Sequence, residues 1–258
     1  MENNLIYIYG PVSSWRLGKS LGVDVISSDK KICNFDCVYC QLGQRRNPEV
    51  KERIFVPTKC IMEEFNNLKG MEFDYITFSG MGEPTLARNL YEIIAKIKKT
   101  RKEKIAVLTN ASLLSSKAVV SGLLKADIVV VKLDAITTSV FNKINRPQDK
   151  KINSSSIMKD IEEFSKVYKG KLDLQIMFIR ENIKEASLLA DFARKIGFYE
   201  VQINTPLRPS ASQPLSKQEI LKIKKYFSGV NVVCVYDKKN KSVTPLNKKN
   251  TIKRHPKV

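Results

Sequence analysis

The stretch Ile32-Cys-Asn-Phe-Asp-Cys-Val-Tyr-Cys-Gln-Leu-Gly43 carries three cysteines, Cys33, Cys37 and Cys40, separated by three residues and then by two. Thiolates that close together can grip one soft metal centre. Three of them on one loop bind a [4Fe–4S] cluster and leave one of its four irons without a protein ligand, free to bind a reactant. Zinc matches less well, because a structural zinc site takes four Cys or His ligands, paired at both ends. Here the one histidine is His255, and the other cysteines, Cys60 and Cys234, lie far away in apolar surroundings. Five cysteines cannot all pair as disulfides, and the uneven gaps depart from the two-residue gaps of electron-transfer ferredoxins.

Working outward, short apolar runs alternate with helix-like segments. Residues 21–26 read as a strand running straight into the cysteine loop. Further strands are expected at 75–78, 105–108, 128–133, 172–180 and 200–203. Helices are expected at 87–100, 115–125, 137–146, 153–168 and 183–197, with apolar residues recurring at helical spacing, as in Leu90, Ile93, Ile94 and Ile97. Six strands, each followed by a crossover, argue for an α/β fold with a parallel sheet, too few for a closed eight-stranded barrel. In such folds active groups cluster at the C-terminal ends of strands, where the cysteine loop sits. The strand at 172–180 alternates Leu172, Leu174, Ile176 and Phe178 with Asp173, Gln175, Met177 and Ile179. Buried parallel strands are usually apolar on both faces, so the polar set predicts a wet lumen or an edge strand. After Pro206 a helix over 215–227 and a strand over 230–236 follow, and from Lys238 the Lys/Asn-rich chain is expected to be loose. The expected organisation is a lead-in over 1–20, a core over 21–210 and a C-terminal extension with a basic tail over 211–258.

The 258 residues suffice for one sizeable core, and 43% hydrophobic content is that of a globular protein. The longest apolar runs, such as Ile128-Val-Val-Val131, are too short for membrane spans. Met1–Tyr9 is too short for a targeting segment and contains Glu2, which points to a cytoplasmic, reducing location. The net charge of +19 attracts polyanions, tRNA among them. It equally fits the Lys-, Ile- and Asn-rich composition of an AT-rich genome.

Three strand ends carry polar groups. Phe78-Ser-Gly-Met-Gly-Glu-Pro-Thr85 combines glycines that allow close backbone approach with Glu83, which either faces a ligand or sits in the first turn of a helix. Leu108-Thr-Asn110 and Val131-Lys-Leu-Asp134 end in side chains that can bind a ligand or cap the next helix. Lys132 points either to the lumen or outside it. Gln175, Met177, Gln202 and Asn204 are candidates for the lumen wall. Arg16, Arg146, Arg180 and Arg208 could bind an anionic substrate.

Cys-x3-Cys-x2-Cys with Tyr39 just before the last cysteine resembles the signature of the radical S-adenosylmethionine (radical SAM) enzymes. The resemblance implies an open (β/α)6 partial TIM barrel with a short C-terminal extension. It further implies a [4Fe–4S] cluster on Cys33, Cys37 and Cys40 whose open iron chelates the methionine end of SAM. Reductive cleavage of SAM then gives a 5′-deoxyadenosyl radical that abstracts hydrogen from substrate, so no side chain is assigned as catalytic. By the same resemblance Tyr39 lies near the adenine, and Gly80, Gly82 and Glu83 hold the SAM amino group. Asp134 takes the ribose-binding position, and an external donor such as flavodoxin or ferredoxin supplies the electron; from their strand ends, Asn110 is a candidate SAM contact and Lys132, where it faces the lumen, a candidate partner of the SAM carboxylate. Gly10-Pro-Val-Ser-Ser-Trp-Arg-Leu-Gly18, Gly82-Glu-Pro-Thr85, Asn145-Arg-Pro147 and Gln202-Ile-Asn-Thr-Pro206 are similar to a prokaryotic subgroup related to the tRNA wyosine-base synthases (4-demethylwyosine synthase-like). In that subgroup Pro and Arg stand at the positions of Ser13 and Trp15. The resemblance spans residues 8–210 or so. The wyosine synthases carry a second set of cysteines upstream, whereas none precedes Cys33 here. The implied substrate is a tRNA base, with a small molecule or a peptide as alternatives. A non-catalytic iron–sulfur electron carrier and a nucleic-acid-binding module with a structural metal are the readings outside this class.

Overall fold

The structure, a computed structural model, describes residues 5–44, 50–68, 70–237 and 243–256. Eight strands form one sheet in simple sequential order. They are β1 (Ile8–Ser14), β2 (Gly18–Val23), β3 (Tyr75–Phe78), β4 (Lys104–Thr109), β5 (Ile128–Lys132), β6 (Lys171–Met177), β7 (Glu200–Asn204) and β8 (Val232–Cys234). Strands β2 to β8 are parallel, and β1 pairs antiparallel with β2. The six expected strands are therefore present as β2 to β7, within a curled half-barrel of eight.

Two elements extend the expected pattern, one at each edge. Strand β1 falls in the lead-in, where Gly10, Pro11, Ser13 and Ser14 disguise it. It is held by β2 on one side. The buried carboxylate of Glu64, on α1 (Thr58–Asn66), takes the backbone N–H groups of Ile6, Tyr7 and Ile8 just before and at its start. Strand β8 belongs to the C-terminal extension and adds in parallel to β7 through Val201–Ile203.

The helices follow the strands: α2 (Leu90–Thr100), α3 (Lys117–Leu123), α4 (Thr138–Asn145), α5 (Ser154–Val167), α6 (Ala186–Ile196) and α7 (Lys217–Lys224). Helix α5 starts at a capping box, with the Asn153 side chain accepting from Ser156 N–H. One large apolar core joins the outward residues of the strands, such as Ile76, Phe78, Val107, Val129, Leu174 and Ile203, to the helix stripes Ile93, Ile97, Ile157, Ile161 and Leu189. Each such side chain contributes about 1.5–3 kcal/mol by its burial.

The expectation of a loose chain from Lys238 onward is only partly met. Residues 238–242 lie outside the described ones, but Lys248–Arg254 forms helix α8 against β1, with Thr251 and Arg254 buried. The Thr251 hydroxyl accepts the Gly10 N–H at 2.9 Å. The buried Arg254 guanidinium reaches the Asp24 carboxylate at 2.6 Å. A lysine-rich sequence docks here because one arginine meets a buried charge of opposite sign at the end of β2.

The opposite face of the sheet forms the lumen. A separate small apolar cluster of Leu17, Ala106, Ile128 and Val130, flanked by Tyr75 and Leu108, fills one part of it. Strand register puts Gln175 and Gln202 on the same face as Lys132, and Asp173 beside Val130. The alternation read in 172–180 is therefore that of a polar lumen wall, and Lys132 points inward. Among the described residues, no helix is long and apolar enough to cross a membrane.

Candidate functional site

The cysteine loop leaves the C-terminal end of β2 and is clamped on two sides by backbone bonds. On one side Ile32 donates to Met81 O at 2.9 Å, and Glu83 donates to Ile32 O at 3.1 Å. The approach is so close that a Cβ on Gly82 would overlap the Ile32 carbonyl. Gly80 has φ +152° and lies against Asp24, where a Cβ would collide with the carboxylate. On the other side Asp36 and Val38 donate to the carbonyls of Asn145 and Ile144, and Gln148 donates to Asn34 O. The Gly-Met-Gly-Glu turn and the Asn-Arg-Pro turn thus hold the loop that bears the thiols.

All three thiols are half-buried. Cys33 Sγ accepts from Phe35 N–H at 3.4 Å and from Asn110 Nδ2 at 3.7 Å, and Cys37 Sγ accepts from Asn145 Nδ2 at 3.5 Å. The buried Lys31 ammonium bonds Asp36 at 3.0 Å and Gly43 O at 3.2 Å. Burial pulls that ammonium down, but the charge of Cys40, the Asp36 bond and then Cys33 and Cys37 outweigh it and raise it. Burial pushes the Cys33 thiol well up, with the Glu83 and Cys37 charges adding to it. It likewise raises Cys37, against the pull of Lys132.

These residues fit an iron–sulfur cluster. N–H groups aimed at sulfur and a buried cation beside the loop favour thiolate, and a metal would supply the positive charge that buried thiols lack. Among the described residues no three Cys, His, Asp or Glu side chains converge on a position for a single metal ion. A single zinc ion needs that convergence. A cluster takes each thiolate on a different iron.

Glu83 and Asp134 are both buried and both engaged through both oxygens. Glu83 accepts from Thr85 N–H and Oγ1, from Thr109 Oγ1 at 2.7 Å and from Asn110 N–H at 2.8 Å. It caps the short 3-10 helix Pro84–Leu86. Burial raises its carboxyl, and these bonds pull it back. Asp134 accepts from Met177 N–H on one oxygen, and from Asn145 Nδ2 and the Tyr39 hydroxyl on the other. Lys132 Nζ sits 2.9 Å from the Tyr39 hydroxyl and 4.5 Å above its ring. Burial, reinforced by Asp134 and Cys37, drives the Tyr39 phenol well up, so it is a neutral donor. Asn110 bonds Asn34 and Ser112 as well as Cys33. It caps no helix, since α3 begins after Ser116.

The structure therefore brings Cys33, Cys37, Cys40, Tyr39, Gly80, Gly82, Glu83, Asn110 and Asp134 to one end of the half-barrel. Glu83 Oε2 and Asp134 Oδ1 each accept a single bond here, so each oxygen has a lone pair left for a ligand donor. The sequence reading passed over Asn145 as a site residue, although it joins Cys37, Tyr39 and Asp134 in one network. Its signal was Asn145-Arg-Pro147, a turn in which Arg146 takes φ +47°. Lys31 was also passed over. Of the four arginines, Arg146 is exposed and Arg180 pairs with Glu219 in solvent, while Arg16 and Arg208 reach the lumen. A groove of about 1190 Å³ lies at the other end of the strands, among Lys19, Asp74, Arg101 and Lys104. None of the thiols lines it, so its size does not make it the site.

A family model described as the radical SAM superfamily matches residues 29–193. A UPF0026 protein of Synechocystis is 41% identical over 83% of this chain and 80% of its own length. A UPF0026 protein of Helicobacter pylori is 38% identical over 90% of this chain and 77% of its own. Among solved structures, Streptococcus suis SuiB bound to S-adenosylmethionine superposes with a TM-score of 0.63 at 16% identity. That match covers 80% of this chain and 48% of SuiB, so the chain spans about half of SuiB and the likeness is one of fold.

Proposed function

This chain belongs to the radical SAM superfamily, and from that premise we propose that Cys33, Cys37 and Cys40 hold one [4Fe–4S] cluster and that SAM binds beside it. When bound, the two supply a hydrogen-abstracting 5′-deoxyadenosyl radical. The observation that carries the reading is the set of N–H donors on Cys33 and Cys37, with the buried Lys31 ammonium beside the loop. Asn110, just after β4, and Asn145, the last residue of α4, hold the thiol loop from two sides. Gly82 lets the turn close on Ile32, and Gly80 lets it pass against Asp24. Glu83 fixes that turn, and Asp134 fixes Tyr39 over the lumen, so both position the wall against which SAM lies. Tyr39 offers a ring and Lys132 a cation over it, on the side of Cys37. An external one-electron donor of the flavodoxin or ferredoxin type completes the system. Anaerobic reconstitution followed by dithionite and SAM is expected to release 5′-deoxyadenosine, and SAM is expected to perturb the cluster's EPR signal. A full cluster that neither responds to SAM nor cleaves it would make the chain an electron carrier.

Two substrate readings have support. The net charge of +19 favours a tRNA base, in line with the motif resemblance to a subgroup related to the wyosine-base synthases. Binding of tRNA that weakens steeply with salt would test it. The narrow, largely lined lumen of about 150 Å³ favours a small molecule.

A further inference from the structure

The lumen cavity is lined by Tyr9, Ser20, Thr77 and Ser79 along its wall and by Arg16, Arg208, Arg254 and His255. Its charges are unevenly matched. Arg254 is paired with Asp24 at 2.6 Å. Arg16 and Arg208 have no carboxylate within ion-pair distance among the described residues. Arg16 donates only a long 3.4 Å bond to Gln202 Oε1, and its Nε is buried with no partner. Arg208 donates to Gln41 Oε1 at 2.9 Å and meets His255 Nε2. Burial and the charge of Arg208 lower Arg16 to about 10, so it stays cationic at neutral pH. Burial and the same arginine hold His255 down at about 4, leaving it neutral. Asp173 and Glu200 act on Arg16 only from beyond ion-pair distance.

We propose that Arg16 and Arg208 form the binding site for the phosphate of a phosphate monoester substrate, seated in the lumen beneath the cysteine loop. The inference rests on the radical SAM reading and deepens it by naming the substrate class. Two unmatched guanidinium groups call for about two negative charges. A monoester carries about −1.5 to −2 at neutral pH, whereas a carboxylate or a backbone phosphodiester carries one. Guanidinium also presents paired N–H groups that match phosphate oxygens. Arg208 reaches Gln41, next to Cys40, so the phosphate site adjoins the cysteine loop.

The test is calorimetric titration of the anaerobically reconstituted holoenzyme with inorganic phosphate, alone and with saturating SAM. Phosphate is expected to bind, to persist with SAM present, and to weaken by about 10-fold or more in Arg16→Gln and in Arg208→Gln. Lys59→Gln, which removes a charge on a side chain 86% exposed, is expected to leave phosphate affinity unchanged. Dimethyl phosphate, a monoanion that stands for the RNA backbone, is expected to bind about 10-fold weaker than phosphate. Absence of phosphate binding, equal loss in Lys59→Gln, or dimethyl phosphate binding as tightly as phosphate each overturns the proposal. Displacement of phosphate by SAM also overturns it, because the arginines then hold the SAM carboxylate. Arg208 stands on a loop after β7, so its variant carries the test if Arg16→Gln does not fold. Cluster absorbance and SAM binding in the same samples report on the cofactor reading separately, whatever phosphate does.

Discussion

At the cysteine-loop end of the lumen, Glu83 and Asp134 commit both oxygens of each carboxylate to donors from the protein. Deeper in the same lumen, Asp173 Oδ1 and Arg16 Nε are just as buried and have none, whereas at the thiol end the open atom is the amide oxygen of Asn145 and not a charged group. An unpartnered buried polar atom costs about 1–3 kcal/mol, so the contrast separates two tasks. The carboxylates at the thiol end are scaffolding that fixes where the thiols stand. The unsaturated end retains polar atoms that a ligand or water can complete.

The largest effect expected from this division lies at the thiols themselves. Cys37→Ala should abolish cluster absorbance and 5′-deoxyadenosine release while leaving the far-ultraviolet circular dichroism of the fold in place, because the core is built from strands and helices. Loss of the fold would instead make the triad a structural metal site. Next, Asp134→Ala leaves the Met177 N–H, the Asn145 amide and the Tyr39 hydroxyl without their acceptor. Urea denaturation should show a loss of about 3–5 kcal/mol, and a loss under 1 kcal/mol would break the scaffolding reading. Gly82→Ala forces the turn away from Ile32 and should cost about 2–3 kcal/mol, with a lower iron content after reconstitution.

At the unsaturated end the sign reverses. Burial, then Glu200, raises the Asp173 carboxyl to about 7. The folded state therefore holds a proton that the unfolded chain releases near pH 4, and stability falls as pH rises from about 4 to 7. Asp173→Asn should remove that slope and stabilise the protein at pH 8 by roughly 1–3 kcal/mol, read as a shift in the urea midpoint. His255 runs the other way. Its folded value of about 4 lies below the ordinary 6.5, so its contribution is complete above 6.5 and is lost as pH falls toward 4. The smallest effect expected is faster amide hydrogen exchange, corrected for its intrinsic pH dependence, confined to residues 247–255 at pH 4.5.

What could be read in the sequence followed from local periodicity. Tyr75–Phe78, Ile128–Lys132 and the helix stripes announce themselves because burial on one face writes its period into the chain. The thiols and the Gly-Met-Gly-Glu turn were legible from spacing. Strand β1 was not, because its regularity comes from Glu64, distant in sequence, and from pairing with β2, which its own Gly, Pro and Ser residues do not announce. Helix α8 was hidden for a similar reason, since Lys248, Lys249 and Lys253 read as a solvated run while Arg254 is buried on Asp24. The direction of Lys132 depended on strand register, which one strand alone does not fix. Asn145 looked like a turn residue and proved to be the amide that joins Cys37, Tyr39 and Asp134.

The docking of α8 has a consequence for the order of events on the ribosome. Residues 247–255 seal strand β1 through Gly10, anchor to Asp24 and place the Arg254 carbonyl on Gln41, beside the thiol loop. All of those partners are translated some two hundred residues earlier. Throughout that interval the nascent half-barrel has a polar seam along its first strand, with the Asp24 carboxylate uncompensated. Only when the last helix clears the exit tunnel does the flank of the cysteine loop close.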